Sequence, residues 1–256
     1  EKCNICPAWM PSIEELISWR DWFIAMQPFP ITEHDHFVLI HKAHRSQASI
    51  DETVIRDIIE FAERVNGARI VYNGVGASIT KHLHLQGFFL RLPIEDSSAD
   101  SVSQRGEVNI GELTGWPVIG FVFESKHKEA LIKEISLFIE SLKINKLLKQ
   151  DLEGKNGIDL LFVNEKGSLR VFVIPRSNWY PQSVWSTVPF GVPDIAGLIS
   201  IVNEEEFSAV DIQRVTMQQA IENIEKAIQE TGFTDRRQLQ PAYAYLQKKQ
   251  SASSPI

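Results

Sequence analysis

The feature that most constrains this chain is one order of elements met twice: a short apolar run, an amphipathic stretch, then two more strand-like runs. Residues 37–42 (FVLIHK) are apolar and β-branched and read as a buried strand. Residues 51–65 place Val54, Ile55, Ile58, Ile59, Phe61 and Ala62 at helical spacing, with Ser49 or Asp51 as cap and Gly67 as stop. Residues 69–73 (RIVYN) and 84–91 (HLQGFFLR) follow as strand-like runs on either side of a Gly-rich turn. A polar stretch at 95–106 reads as a loop, and beyond it the order recurs. A strand at 117–124 (PVIGFVFE) precedes a helix over 128–142, with Ala130, Leu131, Ile135, Phe138 and Ile139 on one side. Residues 158–163 (IDLLFV) and 169–175 (LRVFVIP) then form a hairpin about Asn164, Glu165, Lys166 and Gly167. Identity between the two sets is negligible, so the duplication rests on the order of elements alone. The fold class expected is α+β, with two β-α-β-β halves whose strands join or pack as one platform.

This reading divides the chain into a first half at 1–106, a second at 107–203, and C-terminal helices with a frayed tail at 204–256. Residues 211–231 are expected to form one long helix, with Ile212, Val215, Met217, Ala220, Ile221, Ile224 and Ile228 as its apolar face. Residues 251–256 are expected to fray. Hydrophobic residues make up 43% and charged residues 23% of the 256, which excludes disordered, collagen-like and coiled-coil classes. The net charge of −7 comes without a basic block, which argues against nucleic acid and anionic membrane as partners. No apolar run approaches the ~20 residues of a membrane span, and no signal-peptide pattern is read, so a cytoplasmic protein is expected.

Six of the seven histidines fall in two clusters: His34, His36, His41 and His44, then His82 and His84. His127, between two lysines, reads as a solvated helix start. In His82-Leu83-His84-Leu85-Gln86, alternation puts His82, His84 and Gln86 on one face of a strand and the leucines on the other. Three polar groups aligned opposite a core are costly unless paired or used. Just upstream, the turn Asn73-Gly74-Val75-Gly76-Ala77-Ser78 can point successive N–H groups at an anion, and Ser78 adds a hydroxyl. A phosphate held there would sit near the histidine face of the next strand. Phe29, within Pro28-Phe29-Pro30-Ile31, could wall a base pocket or simply pack a loop. Arg176, at the end of the last strand of the second half, is expected to reach a phosphate. Trp9, Trp19 and Trp22 read as core or lid.

Asn-Gly-x-Gly-x-Ser followed by His-Leu-His-Leu-Gln resembles the histidine-triad superfamily in its nucleotidyl-transferring branch. That branch holds the GDP-hexose phosphorylases, the galactose-1-phosphate uridylyltransferases and the diadenosine tetraphosphate phosphorylases. Residues 72–90 are most similar to the first of these. Residues 37–44 look like the superfamily's strand ending in Pro-Lys-x-His, with His41 where Pro is usual. Residues 115–124 and 190–198 look like C-terminal segments of the phosphorylases. The resemblance spans 3–201 and is most specific at 82–86.

The resemblance implies a histidine-triad-like antiparallel sheet with flanking helices, of which only the first half keeps its histidines. It makes His84 the nucleophile, attacking the α-phosphorus of a nucleotide to give a covalent nucleotidyl-histidine. His82 and Gln86 would flank it, and Asn73, Gly74, Gly76 and Ser78 would hold the transferring phosphoryl group. Hydrolases of this kind usually carry a third His where this chain has Gln86, whereas transferases and phosphorylases carry Gln. A neutral amide donates to a phosphoryl oxygen but is no acid–base near pH 7. The expected substrates are a nucleotide sugar or dinucleoside polyphosphate with inorganic phosphate, used by a monomer or homodimer. The alternatives are a histidine-triad hydrolase and a non-catalytic nucleotide-binding protein.

Cys3-Asn4-Ile5-Cys6 is a redox pair, half of a metal site, or two unpaired thiols. A redox pair would open a helix; this one precedes any strand and is followed by Pro7. In the uridylyltransferases a CxxC pairs with two histidines, which by position are His44 and His82 here. The resemblance therefore implies a structural zinc on Cys3, Cys6, His44 and His82, with His34 and His36 as competing ligands. No organic cofactor is expected.

Overall fold

The structure is a computed structural model, and it describes residues 3, 5–6, 15–27, 30–32, 35–74, 79, 81–148, 157–165, 167–178, 189–201 and 203–248. The expected tail at 251–256 lies outside these residues, as do Trp9, Phe29, His34, Gly76 and Ser78.

Ten strands form a single antiparallel sheet. They are β1 (Ile17–Trp19), β2 (Trp22–Met26), β3 (Phe37–His41), β4 (Arg69–Asn73), β5 (His84–Phe88), β6 (Ser98–Arg105), β7 (Val108–Thr114), β8 (Phe121–Ser125), β9 (Ile158–Glu165) and β10 (Ser168–Pro175). The helices are α1 (Glu52–Arg64), α2 (Lys128–Ile144), α3 (Val192–Ile195), α4 (Glu204–Val210), α5 (Met217–Gln229) and α6 (Gln240–Gln247). The strand order β1-β2-β3-β5-β4-β9-β10-β8-β7-β6 is two-fold about the β4–β9 seam. Each half contributes an edge hairpin, then a strand, a helix and two strands. The expected α+β platform is therefore one continuous sheet, and each unit is larger by a hairpin than the sequence suggested.

Helix α1 starts where Asp51 accepts the Val54 N–H at 2.9 Å, and the chain leaves it through Gly67 at φ +84°. Its apolar stripe, together with α2 and α6, covers one face of the sheet. Leu39, Ile70, Tyr72, Leu83, Leu85, Phe162 and Val171 point into that core. Full burial of such side chains stabilises by about 1.5–3 kcal/mol each. The second half of the opposite face carries Leu161, Phe172 and Ile174, packed under Phe190, Val192, Ile195 and Ile228 from α3, α5 and their approaches. On the first half of that face Val71 and Phe88 join this cluster, and Ala25, Val38 and Ile40 form a small one of their own, with Ile5 and Leu16 against it.

Two expectations are corrected. The stretch 95–106 is not a loop: after a 3-10 turn at Pro93–Asp96 it forms β6, the sheet's outer edge. An edge strand pairs on one side only and is largely exposed, so Ser, Asp and Gln along it cost little and blur the period-two signal. The single helix expected over 211–231 is shortened to α5 at Met217–Gln229, with turns at 211–216 between it and α4. Asp211 accepts the Gln213 N–H and Thr216 accepts the Gln219 N–H, so the side chains end α4 and restart the chain at α5. Ala220 and Ile228 are buried, whereas Ile212, Met217 and Ile221 of the expected apolar face are exposed.

Candidate functional site

Antiparallel partners share a face, so the register can be followed across the sheet. Ala25, Val38, Gln86, Val71, Leu161, Phe172 and Val122 form one row, on the face away from α1 and α2. His84 lies two residues from Gln86 on the same face, while Leu83 and Leu85 fill the core behind it. His84 is buried and Gln86 half-buried. They sit between the small cluster of the first half and the covered face of the second.

The His84 Nδ1 lies 2.8 Å from the His82 carbonyl oxygen. A carbonyl only accepts, so Nδ1 carries the proton and Nε2 keeps its lone pair. Burial, against the help of that bond, lowers the His84 pKa and keeps the ring neutral. The backbone of His84 is fixed by Gln47. Its Oε1 accepts the His84 N–H at 2.9 Å, and its Nε2 donates to the His84 carbonyl at 2.9 Å and to the Asn73 carbonyl at 3.3 Å. The Tyr72 hydroxyl in turn donates to the Gln47 carbonyl.

His82 is placed differently from the expected third member of a polar row. It precedes β5, is fully buried, and donates from Nε2 to the His41 carbonyl at 2.7 Å. Its Nδ1 then faces the Cys3 Sγ at 3.3 Å, and its ring stacks on His44 with centroids 4.7 Å apart. One ligand atom from each of Cys3, His44 and His82 lies within 4.8 Å of the other two. Cys6 is outside this group, although its N–H closes a turn on the Cys3 carbonyl at 3.1 Å. The donor set of one thiol and two imidazoles suits zinc, and the His82 tautomer leaves the correct nitrogen free. His36, a competing ligand by sequence, is elsewhere: its Nδ1 accepts the Ile31 N–H at 3.0 Å and its ring packs on Phe88.

At the end of β4, the Asn73 Oδ1 accepts the Val192 N–H at 2.7 Å, and the Gly74 N–H donates to the Asp159 Oδ1 at 3.0 Å. Arg176, expected to reach a phosphate, is corrected: its guanidinium is wholly buried. It pairs with Asp159 and donates to the carbonyls of Phe190 at 2.8 Å and Thr231 at 3.1 Å. Sequence reasoning missed Gln47 and Asp159. Gln47 lies in an ordinary polar stretch and gives no signal. Asp159, a carboxylate inside the apolar run IDLLFV, is the kind of buried charge that needs a partner and so could have been flagged.

A family model described as a domain of unknown function (DUF4922) matches residues 1–88, which include Cys3, Gln47, His82, His84 and Gln86. No curated protein matches the chain. Among solved structures, the Ap4A phosphorylase Apa2 from yeast is similar with a TM-score of 0.58 and 16% identity, over 83% of this chain and 74% of that one. A DUF4931 family protein from Bacillus cereus ATCC 10987 has a TM-score of 0.46 and 15% identity, over 81% of this chain and 98% of that one. The likeness to Apa2 is one of fold, a large antiparallel sheet with flanking helices. No helix among the described residues is long and apolar enough to cross a membrane.

Proposed function

We propose that this protein is a nucleotidyl-transferring phosphorylase acting on a nucleoside diphosphate sugar or a dinucleoside polyphosphate through a covalent nucleotidyl-His84. The observation that carries this reading is the 2.8 Å contact between the His84 Nδ1 and the His82 carbonyl: a neutral ring donating there has its lone pair on Nε2, the atom that would attack. In the first step the Nε2–phosphorus bond forms at the α-phosphorus as the bond to the bridging oxygen breaks. The sugar phosphate, or the remaining nucleotide, leaves. The positive ring of the adduct keeps its Nδ1–H on the same carbonyl. In the second step an oxygen of inorganic phosphate attacks that phosphorus, the N–P bond breaks, and a nucleoside diphosphate is released. Gln86, on the same face, would donate to a phosphoryl oxygen without activating water. The Asn73 Oδ1 and the Gly74 N–H, expected to face the phosphoryl group, are instead taken by Val192 and Asp159, which leaves that role to Gly76 and Ser78 of the sequence beyond. The yeast neighbour, an Ap4A phosphorylase by name, favours a dinucleoside polyphosphate among the two substrate classes.

Cys3, His44 and His82 would hold a structural zinc ion, with Cys6 as the fourth ligand after a movement of its short turn. Bound there, zinc would tie the N-terminal segment to β3 and β5 and fix His82, whose carbonyl orients His84. The test is mass spectrometry of the intact protein after incubation with GDP-sugars and dinucleoside polyphosphates, without phosphate and then with it. A nucleotidyl adduct mapping to His84, discharged by phosphate, supports the reading. Turnover at the same rate in phosphate-free buffer assigns the protein to the hydrolases, and tight binding with no adduct to the non-catalytic alternative.

A further inference from the structure

The half of the sheet without catalytic histidines has a carboxylate where it meets the active half. Asp159, the second residue of β9, lies directly across the seam from Asn73, on the same face as His84. It is fully buried and has two tasks. One oxygen pairs with Arg176, which is itself locked onto two carbonyls. The other accepts the Gly74 N–H at 3.0 Å. The residue before Gly74 is held as firmly. The Asn73 side chain caps the Val192 N–H, and its carbonyl shares the Gln47 Nε2 with the carbonyl of His84. The approach of the 190s segment is close: a Cβ at Gly191 would lie 3.2 Å from the Asn73 Oδ1. The chain thus leaves β4 at two consecutive residues that the second half has pinned, one amide group away from the backbone of His84.

A buried ion pair is weak evidence for stability, since desolvation offsets most of its attraction. Here a polar backbone donor is attached to it, and that donor opens the turn beside the candidate nucleophile. We propose that Asp159 is a positioning residue: through the Gly74 N–H it fixes the end of β4, Asn73 and Gly74, relative to His84. This inference rests on the phosphorylase reading. It gives the second half a task in catalysis without a catalytic residue of its own, because Asp159 touches no reacting atom.

Asp159→Asn keeps an oxygen for the Gly74 N–H and loses the charge facing Arg176. Asp159→Ala loses both. For each, the rate of nucleotidyl-His84 formation is followed by rapid quench, and substrate affinity and melting temperature are measured alongside. Positioning predicts that the Ala variant forms the adduct about 100-fold more slowly, the scale of an ångström-sized misplacement, with affinity changed less than about threefold. The Asn variant recovers most of that rate, although it melts at a lower temperature than the wild type. If the Asn variant is as slow as the Ala variant, or both rates simply follow stability, the pair is structural and the inference is overturned. Wild-type protein that forms no adduct overturns the phosphorylase reading as well, which is a different result. A measurement on unaltered protein stands apart from any folding defect. The Gly74 amide proton should exchange slowly with solvent in NMR spectra, and fast exchange there would refute the bond on which the inference depends.

Discussion

The side-chain amide of Gln47 closes on the backbone of His84 from both sides, accepting its N–H and donating to its carbonyl, each at 2.9 Å. These are the bonds that a neighbouring strand would otherwise supply at the start of β5. Gln47→Ala takes this partner from three buried backbone groups, the N–H and carbonyl of His84 and the carbonyl of Asn73, at about 1–3 kcal/mol for each group left unpaired. We expect a stability loss of at least about 3 kcal/mol and a slower adduct-forming step. Gln47→Glu should be worse for activity, because a carboxylate oxygen would face the carbonyls of His84 and Asn73. Thermal melts with single-turnover kinetics separate the two effects, and an unaltered chemical step in both variants would remove Gln47 from the site.

His84→Ala should abolish turnover and leave nucleotide affinity within about tenfold, because the lost interaction belongs to the transition state. Gln86→His should shift the products. An imidazole at this half-buried position can exchange a proton with water near neutral pH, which an amide cannot. Chromatography should show nucleoside monophosphate rising relative to diphosphate. An unchanged ratio would mean that residue 86 does not choose the acceptor.

Metal analysis of the purified protein should give about one zinc per chain, as three clustered ligands and a nearby fourth would hold. Cys3 belongs to the cluster and Cys6 does not, so Cys3→Ser should cost more metal than Cys6→Ser. Chelation should lower the melting temperature before it removes activity. A metal-free protein of unchanged stability would reduce the cysteines to ordinary thiols.

His36 sets a sensitivity to acid. Burial lowers its pKa from 6.5 to about 4, its Nδ1 is taken by the Ile31 N–H, and its Nε2 has no partner among the described residues. Between pH 6.5 and 4 the unfolded chain binds a proton that the folded one refuses, so stability falls as the pH drops through that window. The size is on the order of 3 kcal/mol at most. His36→Gln should flatten the dependence in urea titrations at pH 7 and pH 4.5. An equal slope in both proteins would place the acid sensitivity elsewhere.

What the sequence made legible follows from burial. Strands covered on both faces, such as β4 and β9, carry unbroken apolar runs at their centres, residues 70–72 and 160–163, and stand out. The amphipathic stripe of α1 is equally plain. The outer edge strand β6 escaped because its residues are largely exposed, and exposed residues carry no period. His84 and Gln86 were readable from alternation, with the leucines between them marking the core side. The ring of His82 was not, since its direction depends on the His41 carbonyl, a backbone group that no side-chain pattern reports. Arg176 was misjudged for a similar reason. A cation at a strand end looks available to an anion until the buried carboxylate beside it is known.

The two-fold strand order has a consequence of stoichiometry. Two identical halves related by such an axis would present the same side chains twice and hold two sites per sheet. Joined in one chain, the halves are free to differ. Here Phe172 occupies the row that Gln86 occupies across the seam, under the lid of α3 and α5. A single chain should therefore accept one nucleotidyl equivalent, and a solitary molecule should saturate along a simple hyperbola, having no twin site with which to cooperate.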